Sequence, residues 1–223
     1  KMTSRTILIC GSSGMIGIEI LILCLSSYQI KKIHLLVRRP ITVKEKKVSV
    51  HLISDFSKHS IDASYLQNID AVFFCIGVYT GTVSRGVFSE VTVDYPLALA
   101  KTLKKIKSKA KFVLLSGAGA DPTEKSRMMF AKYKGVVENR LRAENLASFH
   151  SFRPAYIYPV QKRKEPQFSY QIARWLYPFL KFLGKKYSIP STMLAKAMLK
   201  IALKGSDEEI FENKQIWKLL SEE

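Results

Sequence analysis

Thr6-Ile7-Leu8-Ile9-Cys10-Gly11-Ser12-Ser13-Gly14-Met15-Ile16-Gly17 joins a short apolar run to a glycine-spaced turn and then to a second apolar run. The first five residues lack polar alternation, as a parallel strand buried on both faces does. The glycines at 11, 14 and 17 fall where a strand passes into a helix. Gly11 permits the tight turn, Gly14 lets backbone approach a pyrophosphate, and Gly17 allows the helix to pack close to its strand. The helix N-terminus then offers unpaired N–H groups and a positive dipole end to phosphate. Gly11, Ser12, Ser13, Gly14, Ile16 and Gly17 are therefore the candidate pyrophosphate site.

Outward from this unit the same alternation recurs. Strand-like runs occupy Thr6 to Cys10, Ile33 to Val37, Val48 to Ile53, Ala71 to Ile76, Phe112 to Ser116 and Ser148 to Phe152. Helical patterns fit Ile16 to Ser26, Val91 to Lys107, Arg127 to Ala147 and Ser191 to Leu203. Strands alternating with helices predict an α/β fold, a Rossmann-like doubly wound parallel sheet. With 223 residues the chain is expected to form a single domain spanning 1–223, one core still being able to grow at this size. From Tyr156 onward a charged, Pro-containing stretch and an aromatic-rich helical segment read as a small lid-like insertion over 156–190. Apolar residues at 47% and charged residues at 24% exclude a disordered or fibrous class.

The end of the second strand speaks to the cofactor. A carboxylate there would bind the ribose 2′-hydroxyl of NAD. The chain instead reads Leu36-Val37-Arg38-Arg39-Pro40. Two guanidinium groups suit a 2′-phosphate, so Arg38 and Arg39 predict NADP(H).

Further stretches follow in order: Ser54-Asp55-Phe56, Phe74-Cys75-Ile76-Gly77, Leu114 to Asp121 (Leu-Leu-Ser-Gly-Ala-Gly-Ala-Asp), Lys134-Gly135 and Phe152-Arg153-Pro154. Together with the glycine turn they resemble the short-chain dehydrogenases/reductases in their atypical branch. Within it, Lys134 to Glu138, Ser188-Ile189-Pro190 and Glu212-Asn213-Lys214 make the chain similar to the Tat-interacting-protein group of NADPH-binding proteins. The resemblance implies that Asp55 and Phe56 border the adenine and that the backbone at Ile76 and Gly77 lines the adenosine ribose. It implies that Lys134 holds the nicotinamide ribose and that Pro154 to Tyr156 flank the nicotinamide.

In the resembled family a Tyr one helical turn before the Lys gives a proton to the substrate carbonyl, its pKa lowered by the ammonium. Here that position is Phe130. Tyr133 is adjacent to Lys134 and projects about 100° away around a helix, so it does not simply replace the missing phenol. Ser116 is the candidate orienting hydroxyl, although many relatives carry the serine one or two places later, where this chain has Gly117 and Ala118. The candidate catalytic set is Ser116, Lys134 and Tyr133, with Tyr79, Tyr156 or water as other proton sources.

His34, His51, His59 and His150 have no metal-ligand spacing, and no metal site is inferred. Cys10, Cys24 and Cys75 are odd in number and lie in apolar runs, which fits a reducing cytoplasm. The apolar stretch Ile16 to Leu25 is too short to span a bilayer and contains Glu19; neither an anchor nor a signal peptide is expected.

A net charge of +18 draws anionic partners of any kind. The lysines from 101 to 111 read as a solvated helix face, so nucleic acid is not the expected partner. The aromatic and basic residues from Phe168 to Lys186 suit a lid over an apolar pocket or a peripheral contact with anionic membrane. The expected function is that of an NADP(H)-binding oxidoreductase passing hydride to an unidentified carbonyl or quinone-like small molecule. The other reading is a catalytically silent NADPH sensor that binds a protein or membrane partner.

Overall fold

In the computed structural model, residues 4–56, 61–160 and 187–221 are described. Most of the proposed lid, and with it the membrane-contact reading of Phe168 to Lys186, lies outside those residues. Six strands stand where the sequence predicts them: β1 (Arg5–Cys10), β2 (Ile30–Val37), β3 (Val48–Leu52), β4 (Ala71–Phe74), β5 (Lys111–Leu115) and β6 (Ser148–Arg153). A short pair, β7 (Tyr156–Tyr158) and β8 (Ser188–Pro190), brackets the undescribed stretch and pairs in parallel. A last strand, β9 (Ile210–Glu212), extends the main sheet. Its order is β3-β2-β1-β4-β5-β6-β9, with every pairing parallel. The chain thus has a Rossmann-like, doubly wound fold, and its strand order reverses between β1 and β4.

Alternate strand residues supply two cores. Ile7, Ile9, Leu35, Phe73 and Val113 pack under α1 (Met15–Ser26), α5 (Ser191–Lys204) and α6 (Asn213–Ser221). Leu8, Cys10, Leu36, Phe74 and Phe112 pack under α3 (Tyr95–Lys105) and α4 (Met129–Ala143). Burial on both faces is why these strands lack polar alternation.

Two predicted helices differ from expectation. The run expected to begin at Val91 starts earlier, as α2 (Arg85–Ser89), whose Ser84 Oγ accepts from the Val87 N–H at 3.4 Å. It then widens to a π turn over Glu90–Asp94 before α3. Pro96 explains the widening: it has no N–H to donate and its ring would crowd the carbonyl four residues back. The helix predicted to run to Ala147 stops at Ala143, where Asn145 enters the left-handed region at φ 51°.

Candidate functional site

The chain leaves β1 at Gly11 with φ 89°, and a Cβ there would lie 2.9 Å from the backbone of Cys75 and Ile76. The turn therefore rests directly against the exit of β4. Gly14 N–H donates to the Gly11 carbonyl at 2.9 Å and caps α1 in extended conformation. No side chain caps α1, and its first turn holds no acidic residue. Its leading N–H groups face the crevice above the β1/β4 switch point, where an anion would complete them. A Cβ on Gly17 would fall 2.1 Å from the Gly11 carbonyl oxygen, so only glycine lets helix and turn come this close.

A second observation points the same way. Among the described residues, two buried side-chain polar atoms have no hydrogen-bond partner, Ser12 Oγ and Ser116 Oγ, on residues 4% and 7% exposed. A buried hydroxyl left unpaired costs roughly 1–3 kcal/mol. One lies in the glycine turn and the other at the end of β5. Both would be satisfied by a ligand running from the turn across the carboxyl ends of the strands, so the residues present fit a dinucleotide.

That path is a cavity of about 450 Å³. Gly14, Ile16, Ile76, Gly77, Ser116, Lys134, Pro154 and Tyr156 line it, as the sequence predicts. Sequence reasoning missed Met15, Val78, Thr80, Ile157 and Pro159, which also line it. Residues 78–80 and 155–159 follow directly on predicted strand ends, and the rule that ligands bind at the carboxyl edge of the sheet was the available signal. A larger concavity of about 730 Å³ lies beside α3 between Phe56, Asp94, Lys101 and Arg140; it holds neither the turn nor the unpaired hydroxyls.

Lys134 is buried in α4, and its Nζ donates to the Leu115 carbonyl at 3.1 Å. Burial lowers its pKa from 10.5 to about 8, although Glu138 and Cys75 pull the other way. Burial likewise pushes the Cys75 thiol up to about 12, so it is no thiolate nucleophile. Glu138, one turn beyond Lys134, accepts from Ser151 Oγ at 2.7 Å and from the Arg153 guanidinium. Arg153 also reaches Glu212 at 2.9 Å. This clamp fixes α4 against β6 and β9 and so fixes where Lys134 sits.

Phe130 and Lys134 both line the cavity, which confirms the one-turn register. The ammonium stands 6.0 Å from the Phe130 ring centroid. The ring points tip-first at Gly117: a Cβ on Gly117 would be 2.4 Å from Phe130 Cζ, nearer than to either Cε. The phenyl ring thus occupies the space that a side chain at position 117 would need. Tyr133 does not line the cavity. Its hydroxyl accepts from Arg85 Nε at 3.1 Å, and its ring packs 6.0 Å from Phe88.

The remaining candidates divide. Arg38 and Arg39 are exposed just past β2; pairing of Cys10 with Leu36 puts them at the same sheet edge as the glycine turn. Ser13 is exposed in the turn. Asp55 follows β3, but the Phe56 ring is wholly buried, stacked on Tyr95 at 5.1 Å. Phe56 belongs to the core and does not line this cavity.

This site and fold define a Rossmann-like protein with a cleft at the carboxyl edge of its sheet, and comparisons with known proteins agree on the fold. No family model matches. "Protein FMP52, mitochondrial" from Coccidioides immitis (strain RS) is 27% identical over 164 residues, covering 68% of this chain and 65% of that protein. The chain therefore spans just under two thirds of that relative's length.

Solved structures share the fold. The Bordetella bronchiseptica enzyme WbmH in complex with NAD+ superposes with TM-score 0.68 at 16% identity, over 93% of this chain and 74% of that one. ADP-L-glycero-D-manno-heptose-6-epimerase from Helicobacter pylori gives 0.69 at 16% identity, over 99% and 83%. UDP-glucose 4-epimerase from Thermotoga maritima, solved with UDP-glucose, gives 0.68 at 16% identity, over 98% and 82%.

Proposed function

We propose that this chain binds NADP(H) and acts as an oxidoreductase of the atypical short-chain dehydrogenase/reductase type. The observation that carries the reading is the glycine turn at the switch point, with an unpaired hydroxyl on Ser12 inside the turn and another on Ser116 in the wall of the adjoining cavity. The turn and the first N–H groups of α1 hold the pyrophosphate. Arg38 and Arg39 pair with the 2′-phosphate, Asp55 borders the adenine, the backbone at Ile76 and Gly77 lines the adenosine ribose, and Pro154 and Tyr156 flank the nicotinamide. Lys134 holds the nicotinamide ribose. When bound, the cofactor supplies a hydride, and Ser116 orients the carbonyl or quinone-like oxygen that faces it. The fungal relative's name includes mitochondrial; for this chain we read a reducing compartment, the cytoplasm, from three free cysteines. No helix of the described residues is long and apolar enough to cross a membrane.

Phe130 over Gly117 favours a second reading, a catalytically silent NADPH sensor like the regulatory members of the Tat-interacting-protein group, bound to a protein or anionic membrane partner. Calorimetric titration tests the cofactor assignment. NADPH binds at least tenfold tighter than NADH, about 1.4 kcal/mol, and Arg39→Ala removes most of the difference. Equal affinities in the unmodified protein refute the arginine assignment, and no heat with either coenzyme refutes the site.

A further inference from the structure

We infer that the acceptor at this cleft is a quinone rather than an isolated aldehyde or ketone, with Lys134 facing the oxygen that becomes phenolic. This rests on the oxidoreductase reading above. Three observations lead to it. The proton-donor position holds Phe130, whose ring packs over Gly117 in the cavity wall and offers no hydroxyl. Met15, Val78, Phe130, Ile157 and Pro159 give the cavity apolar walls that suit a flat ring. The polar groups within it include the anchored ammonium of Lys134 and the unpaired hydroxyl of Ser116, which lacks an acceptor such as a carbonyl oxygen.

The chemistry separates the two acceptor classes. Hydride addition to an isolated ketone pushes the carbonyl electron pair onto oxygen as an alkoxide, whose basicity approaches that of hydroxide (water pKa about 15.7). That step needs a positioned acid, whose loss costs about 10²- to 10⁴-fold. Reduction of a quinone behaves differently. As hydride bonds to one carbonyl oxygen, the ring π electrons shift, the ring becomes aromatic, and the pair settles on the opposite oxygen. That oxygen is a phenolate, of pKa about 10 like tyrosine's, so its charge is tolerable before any proton arrives. A Lys134 N–H bond then breaks, its electron pair staying on nitrogen, and the phenolate oxygen takes the proton. Solvent restores the ammonium. The balance is quinone, NADPH and one proton giving hydroquinone and NADP+. With its pKa lowered to about 8 by burial, the ammonium gives up its proton to phenolate downhill. Tyr79, on the loop after β4, and Tyr156, on β7, also line the cavity, but neither stands on α4 one turn from Lys134.

The test follows NADPH consumption with 2-methyl-1,4-naphthoquinone, 1,4-benzoquinone, benzaldehyde and cyclohexanone, each against its background without protein. Quinone rates are expected to exceed carbonyl rates by at least about 100-fold. A readout independent of turnover is calorimetric titration of the naphthoquinone into protein saturated with NADP+, which should give heat where cyclohexanone gives none. The quinone rate should fall above about pH 8. Lys134→Met should abolish that limb, and Lys134→Arg should keep quinone binding without restoring it. Benzaldehyde turned over as fast as the quinones would overturn the inference and leave the oxidoreductase reading standing, as would carbonyl turnover lost in Tyr79→Phe or Tyr156→Phe. NADPH binding with no acceptor consumed and no quinone heat would overturn the inference and favour the sensor. Absence of NADPH binding would overturn the function reading itself.

Discussion

Replacing Gly17 by alanine separates the geometry of the glycine turn from the general preference of helices for alanine. The new methyl would sit 2.1 Å from the Gly11 carbonyl oxygen and 2.7 Å from its carbon, against the roughly 3.5 Å at which non-bonded heavy atoms rest comfortably. The atoms struck are backbone, so no side chain can swing aside, and α1 must move by about 1 Å. Overpacking of this kind costs about 3 kcal/mol, and the alanine returns about 1 kcal/mol through helix propensity. The net loss of about 2 kcal/mol corresponds to a Tm drop of about 4–8 °C for a chain of this size. Because the shift displaces the N–H groups that face the crevice, NADPH affinity should fall at least tenfold. Gly77→Ala is the control. A Cβ there meets nothing within 4 Å, yet Gly77 lines the cavity. Its Tm should stay within about 2 °C while NADPH binding weakens. Differential scanning calorimetry with and without NADPH reads both. A Gly17→Ala protein with unchanged Tm and affinity would refute the close-approach argument.

Two further outcomes follow from groups outside the cleft. His34 Nδ1 lies 2.7 Å from His51 Nε2, and both rings stack with Tyr65; burial first, then the neighbouring positive charges, lowers His34 from 6.5 to about 4. The fold therefore prefers neutral His34, and the unfolded chain binds the extra proton between about pH 6.5 and 4. Stability from this residue is fully present above that window and falls as pH drops through it, by on the order of 2 kcal/mol; urea denaturation at pH 7 and 5 should show a smaller difference in His34→Gln, and an unchanged difference refutes the assignment. Lys47 Nζ donates to the Cys24 carbonyl at 2.8 Å and the Ser27 carbonyl at 3.3 Å, at the end of a helix whose last turn has no basic residue. Lys47→Met keeps the stem and should cost about 1.5 kcal/mol, a Tm drop of about 3–6 °C, whereas no drop would mean that the cap contributes nothing.

Strand existence was legible because doubly buried strands leave apolar runs that no surface element imitates. The glycine turn was legible because its spacing serves one local geometry. The three-residue strands β7, β8 and β9 were not, being too short for any period to register. The π turn before Pro96 escaped because pattern reading assumes one helical pitch. At the site, the four-residue spacing of Phe130 and Lys134 was enough to put both on one face of α4, and both line the cavity. The resemblance gave Phe56 a ligand-facing role, whereas the aromatic packing of Tyr95 and Phe74 around it is a long-range fact. The fit of Phe130 against Gly117 joins positions far apart in the chain, and no local pattern encodes it.

The charged clamp joining Glu138, Arg153 and Glu212 bears on how the protein is made. Its last member lies late in the chain, so during synthesis the glycine turn leaves the ribosome long before the partner that completes the anchoring of α4. Until then Glu138 and Arg153 have only each other and Ser151, and the far wall of the cleft lacks its final tie. A nascent chain would consequently acquire the glycine-turn half of the cleft first and the Lys134 half last.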